Sequence, residues 1–233
     1  MGDTSVDRPD EGRVEARVPA YHFGVVLLLL LATFIFLAAG PTGDWVPLVA
    51  VVLQGATLLA AFTASGVGRR LWRVALVVVL AALVSASAAA FVGGKWISGS
   101  LFLLNLFLVG AAPVVIINSL ARRRVIDPRT VLGAVCVYIL IGMMWSFAFT
   151  AIGTFDSRTF FAQQSNATVA DYLYFSFVTL TTTGYGDFTA AHGLGRALAV
   201  LEALIGQLYL VTDIALLVSN LGRRGRASQQ PER

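Results

Sequence analysis

The stretch Thr182-Thr183-Gly184-Tyr185-Gly186-Asp187 offers a chemistry found nowhere else in the chain. It holds no nucleophile beside a base and no cluster of metal-binding side chains. Its resource is main chain. A cation stripped of its water needs oxygens in place of the hydration shell, and backbone carbonyls turned to one side supply a column of them. In an ordinary strand every second carbonyl points away. Glycine lifts that constraint because it enters backbone conformations that L-residues avoid, and Gly184 and Gly186 stand at alternate positions. The expected ion-binding residues are Thr182, Thr183, Gly184, Tyr185 and Gly186, with the first four giving carbonyls and the Thr182 hydroxyl adding an innermost ring. One loop gives one carbonyl per level, so four chains must surround an axis, and a homotetramer is expected.

Such a loop needs a scaffold at membrane depth. Of the 233 residues, 57% are hydrophobic and 13% charged, against roughly a quarter charged in soluble domains, and mean hydropathy is +0.78. The apolar residues come in blocks close to the roughly 20 residues that cross a bilayer as helix. Six such blocks are marked: Tyr21–Ala39, Trp45–Ala64, Leu71–Val92, Ser98–Leu120, Thr130–Ile152 and Leu194–Leu217. A shorter one, Val169–Thr181, precedes the glycine pair and reads as a re-entrant helix. The expected fold is an all-α integral membrane protein. A four-helix transmembrane bundle over 20–121 is followed by a two-helix pore module over 130–220. The module divides into outer helix 130–152, re-entrant pore helix 169–181, selectivity filter 182–187 and inner helix 192–220. A disordered tail 1–19, a basic linker 122–129 and a tail 221–233 complete the chain.

Positive residues set orientation. With a cytoplasmic N-terminus, fourteen of the 17 lysines and arginines lie inside and only Lys95, Arg158 and Arg196 outside. Both termini are then cytoplasmic, the 182–187 loop opens outward, and a bacterial inner membrane is the expected location. The net charge of +4 sits in arginine clusters at block ends. That suits anionic lipid headgroups at Arg122, Arg123, Arg124, Arg223 and Arg224 rather than nucleic acid. The first block lacks a cleavage site after Gly40-Pro41, so a cleaved signal is not expected. The single cysteine, Cys136, excludes an intrachain disulfide.

The segment Asp171–Asp187, with its aromatic helix, threonine run, Gly-Tyr-Gly and trailing aspartate, resembles the pore helix and selectivity filter of the potassium channel family. The resemblance is strong over Thr130–Ser219 and implies potassium ions in the filter, passive conduction, no organic cofactor and no enzymatic activity. It implies that the Tyr185 ring packs against neighbouring pore helices. It also places Gly206 where the family often has a hinge glycine, with close helix packing as the alternative. The chain departs from the family at several positions. Thr183 stands for a valine or isoleucine. Val178 and Phe175, the expected filter-support positions with Asp187, stand for a glutamate and a tryptophan that would bond the filter aspartate, which leaves Asp187 without its usual partners. Thr189 stands for an aromatic residue at the outer mouth. Asp213 is expected either to face the cavity and gather cations or to bond a neighbouring helix, and Glu202 raises the same question. Ser176 and Thr179 read as structural.

Six spans with the pore in the last two suggest a voltage sensor, yet a sensor needs basic residues along its fourth span. The fourth block has none, so strong voltage gating is not expected. After Leu221 only a short polar tail follows, so no cytoplasmic ligand-sensing domain is expected there. The competing readings are a non-selective cation channel of the same architecture, a potassium transporter subunit, and a membrane enzyme or structural bundle. The isolated histidines, His22 and His192, give the last no support.

Overall fold

A computed structural model describes residues 22–41, 43, 45–92, 95–121 and 128–227. Seven helices follow in order: α1 His22–Ala38, α2 Val46–Ala64, α3 Arg69–Val92, α4 Lys95–Ala121, α5 Pro128–Phe155, α6 Val169–Leu180 and α7 Gly193–Ala227. The tail 1–19 and Arg122, Arg123 and Arg124 lie outside the described residues.

The protein is an all-helical membrane protein. Helices α2, α3, α4, α5 and α7 are each long and apolar enough to cross a bilayer, while α1 and α6 are shorter apolar helices. Helix is the outcome because in lipid every backbone N–H and C=O must find a partner within its own segment. Polar side chains inside these helices follow the same rule. Thr33, Thr57 and Thr150 each donate to the carbonyl four residues back, at 2.7, 2.8 and 2.8 Å, which hides a hydroxyl that would otherwise face hydrocarbon.

Helix ends depart from the sequence reading where apolar runs carry no boundary signal. Helix α5 starts at Pro128, a residue suited to a first helical position because its missing N–H has no intrahelical partner anyway. Helix α7 runs to Ala227, beyond the expected end at 220, so Arg223 and Arg224 belong to its final turns rather than to a separate tail. Cations are favoured at that end of a helix.

Helix α4 packs along α5 more extensively than any other pair, and α1 touches α2, α5 and α6. The bundle therefore reaches the re-entrant helix directly. The Phe34 ring of α1 meets Phe177 of α6 edge-on, with centroids 4.9 Å apart. Behind the outer half of α6 lies an aromatic cluster. Phe175 contacts Phe149 at 5.2 Å and Phe161 at 5.3 Å, and Tyr172 contacts Phe161 at 4.9 Å. Edge-on pairs of this kind fix ring positions as well as burying area.

Candidate ion-conducting site

The re-entrant helix α6 is capped at both ends. Thr168 accepts from the Asp171 N–H at 3.3 Å while Asp171 Oδ2 accepts from the Thr168 N–H at 2.7 Å, a reciprocal capping box. Gln164 also donates to Asp171 at 3.0 Å. At the far end the Thr182 N–H bonds the Thr179 carbonyl at 2.9 Å and the Thr183 N–H bonds the Val178 carbonyl at 2.9 Å. This is the Schellman pattern, which requires a left-handed residue just past the helix. That residue is Thr182, with φ of 56°. Glycine usually fills such a place; a β-branched side chain there costs about 1–2 kcal/mol, a strain of the kind that gathers at functional sites.

Two further left-handed residues follow, Gly184 at φ 57° and Gly186 at φ 81°. Positive φ thus recurs at 182, 184 and 186, and neither Thr183 nor Tyr185 shares it. Alternating handedness swings successive peptide planes to the same side, the arrangement a carbonyl column requires. The glycines were legible as the source of this freedom; the contribution of Thr182 was not. Residues 181 to 187 are all exposed in a single chain, and the Tyr185 ring is 71% exposed.

Hydroxyl bonds fasten the turn to the helix. Thr181 Oγ1 lies 2.7 Å from the Phe177 carbonyl and 2.9 Å from Thr183 Oγ1. A carbonyl only accepts, so Thr181 donates to it and Thr183 donates to Thr181. The threonine found in place of valine or isoleucine therefore adds a link to α6.

Asp187, without the family's usual partners, is held by another residue. Tyr174 donates to Asp187 Oδ2 at 2.7 Å, and Asp187 Oδ1 accepts from the Phe188 N–H at 3.1 Å. Neither Val178 nor Phe175 bonds the Asp187 carboxylate. Phe175 points into the aromatic cluster, and Val178 acts through its backbone carbonyl, which takes the N–H groups of both Thr183 and Gly184. Tyr174 was missed because its reach depends on how the loop doubles back, although an aromatic hydroxyl on a pore helix was a visible signal.

On α7, Gly195, Glu202, Gly206, Tyr209 and Asp213 fall on one stripe at helical spacing. An added Cβ at Gly206 would sit 2.5 Å from the Leu180 carbonyl oxygen, so this glycine permits close approach of α7 to α6, the packing alternative. Tyr209 donates to the Ala134 carbonyl of α5 at 2.9 Å. Glu202 is 0% exposed and bonds Ser176 at 2.5 Å; it is not a cavity residue. Asp213 is half-buried, one turn from Tyr209 on the same stripe, with its carboxyl beside the Tyr209 hydroxyl. Of the two alternatives held for the carboxylates, Glu202 takes the bond to a neighbouring helix, through Ser176.

Between α5 and α7, an isolated antiparallel bridge joins Phe161 to Ala190. Gln163 clasps Thr189 twice, accepting from its N–H at 2.9 Å and donating to its hydroxyl at 2.8 Å. The Arg158 guanidinium bonds Asp156 and holds its carboxyl below the ordinary carboxylate value.

Residues 145–223 match the ion channel family. They include the second half of α5, α6, the left-handed turn and α7 through Arg223. Over this segment the chain is similar to potassium channel proteins. Human potassium voltage-gated channel subfamily A member 5 is 29% identical over 85 residues, 34% of this chain and 14% of that protein. The probable potassium channel protein 2 of Methanocaldococcus jannaschii is 52% identical over 46 residues, 18% of this chain and 13% of that one. The matched part is thus a small share of both potassium channel relatives. No solved structure matches the chain.

Proposed function

We propose that four copies of this chain surround one axis, line it with the carbonyls of Thr182, Thr183, Gly184 and Tyr185 together with Gly186, and pass potassium ions passively across a membrane. The observation that carries this reading is the alternation of left-handed φ at 182, 184 and 186, since it turns main-chain oxygens into a potassium-coordinating column. A filter fully exposed in one chain, with Tyr185 projecting into open space, is supported on all sides only when copies stand beside it. Both termini face the cytoplasm in this reading, and the arginines at 122–124 and 223–224 meet anionic headgroups. Helix α4 carries no basic residue between Ile97 and Ala121, so the pore responds weakly to voltage.

The test is flux from vesicles holding the purified protein. Potassium should pass far faster than sodium, barium should block it, and the detergent-purified protein should have the mass of a tetramer. Equal sodium and potassium rates would leave a non-selective channel, and a monomer would end the proposal.

A further inference from the structure

Three helices meet at one buried hydroxyl. Ser176 of α6 is fully buried, and its Oγ lies 2.7 Å from the Gly142 carbonyl of α5 and 2.5 Å from Glu202 Oε1 of α7. A hydroxyl has one proton to give, and a carbonyl can only accept. If Glu202 were ionised, both of Ser176's partners would be pure acceptors, and one of two short oxygen–oxygen contacts would have no proton in it. With a proton on Glu202 both contacts are satisfied at once.

The surroundings point the same way. Glu202 Oε2 has no hydrogen-bond partner, and the carboxyl is sealed from solvent within a membrane-length helix. An ionised carboxylate there, without a cation, is costly by several kcal/mol. No cation is in place among the described residues. Arg196 of α7 donates to the Ala190 carbonyl, and Arg158 is paired with Asp156. The ionisable groups of α6 are engaged elsewhere: Asp171 bonds Thr168 and Gln164, Tyr172 packs among phenylalanines, and Tyr174 bonds Asp187. From α5 the ionisable group near Glu202 is Tyr138, neutral in its ordinary form. On α7 itself the next acid is Asp213, three turns away beside Tyr209.

We propose that Glu202 is a protonated positioning residue that donates to Ser176, which in turn donates to the Gly142 carbonyl, so that a two-bond chain ties the inner helix to the pore helix and the outer helix. Its proton is part of the structure. Loss of that proton leaves the Ser176 hydroxyl between two acceptors with one proton to share, and loosens α6, the helix from which the 182–187 turn hangs. The hydrogen-bond chain stands on geometry alone; its consequence for conduction rests on the channel reading above.

Infrared spectra of the folded, purified protein at neutral pH test the chain directly. A protonated-carboxyl band should be present in wild type and lost in Glu202→Gln. In Ser176→Ala it should persist but move to higher frequency, because the carboxyl has lost its acceptor. No such band in wild type, an unchanged spectrum in Glu202→Gln, or an unmoved band in Ser176→Ala would overturn the proposal. If Glu202→Gln does not fold, the Ser176→Ala shift decides alone. In vesicles, Ser176→Ala should lower potassium flux about tenfold, the effect of losing one buried hydrogen bond. Wild-type flux should fall at alkaline pH, while Glu202→Gln, which keeps a donor, stays flat; Tyr138→Phe should retain the wild-type profile. A pH response surviving in Glu202→Gln would reject Glu202 as its origin. Absence of wild-type potassium flux would defeat the channel reading and leave the infrared result to judge the chain.

Discussion

Helices α3 and α7 leave nearly equal shares of themselves uncovered: only 22% and 17% of their membrane-length windows are buried. On both, the uncovered side chains are apolar, Val200, Leu204, Leu208 and Val211 among them on α7; the difference lies in the ends and in the covered stripe. The uncovered faces of α3 are apolar, with Val74, Val77, Leu80 and Val84 exposed and Arg69, Arg70 and Arg73 at one end, a composition that hydrocarbon and headgroups satisfy. The covered stripe of α7 is committed to other helices through Glu202, Gly206 and Tyr209. Its uncovered faces adjoin a turn whose every residue is exposed. On the proposed channel reading, equal exposure has two meanings, contact with lipid in the N-terminal bundle and contact with further copies in the pore module. Substitutions separate the two.

The largest effect belongs to Gly206→Val. Its side chain meets the Leu180 carbonyl, and overpacking of this kind costs about 1–3 kcal/mol or more per chain. Loss of the tetramer on size exclusion and of flux is expected; a tetramer with normal flux would show that α7 does not need this approach. Next is Gly184→Ala, which forces an L-residue to φ 57° at about 1–2 kcal/mol in each chain. Potassium preference over sodium in vesicle flux should collapse while the tetramer survives. Tyr174→Phe removes the hydrogen bond to the Asp187 carboxylate. Steady-state current should fall relative to peak current, with Asp187→Asn giving a similar loss and the double variant little more. On α3, Val77→Ala and Val84→Ala should change thermal stability by no more than about 0.5 kcal/mol and flux not at all. A tetramer lost on either change would erase the distinction between the two helices. Smallest is the exposed Asp156–Arg158 pair. Because Arg158 lowers the Asp156 carboxyl, its contribution is present at neutral pH and disappears as pH falls through that lowered value. Asp156→Asn should therefore leave the melting temperature unchanged in acid and nearly so at neutral pH.

The sequence exposed what is local. Apolar runs marked the helices because lipid demands them, and Gly184 and Gly186 marked the turn because few other residues adopt positive φ. Helix ends drifted by several residues where, as after Leu217, the apolar signal fades before the helix does. Three features needed the fold. Tyr174 and Asp187 are thirteen residues apart and meet only because the chain reverses through the turn. Thr182 is left-handed because of a helix cap that its side chain disfavours. Glu202 finds Ser176 only through the mutual register of α6 and α7. The face of Asp213, by contrast, was available from the spacing of 202, 206, 209 and 213, which places it with residues that pack inward.

The doubled clasp between Gln163 and Thr189 governs the outer rim. Together with the Ala162 N–H to Thr189 carbonyl bond at 3.0 Å and the Ala191 N–H to Phe160 carbonyl bond at 2.8 Å, it stitches the descending limb after α5 to the ascending limb beyond Asp187. On the proposed reading, an ion leaving the turn passes a threshold sewn to its own doorframe, and a molecule that presses on the rim pushes on α5 as well.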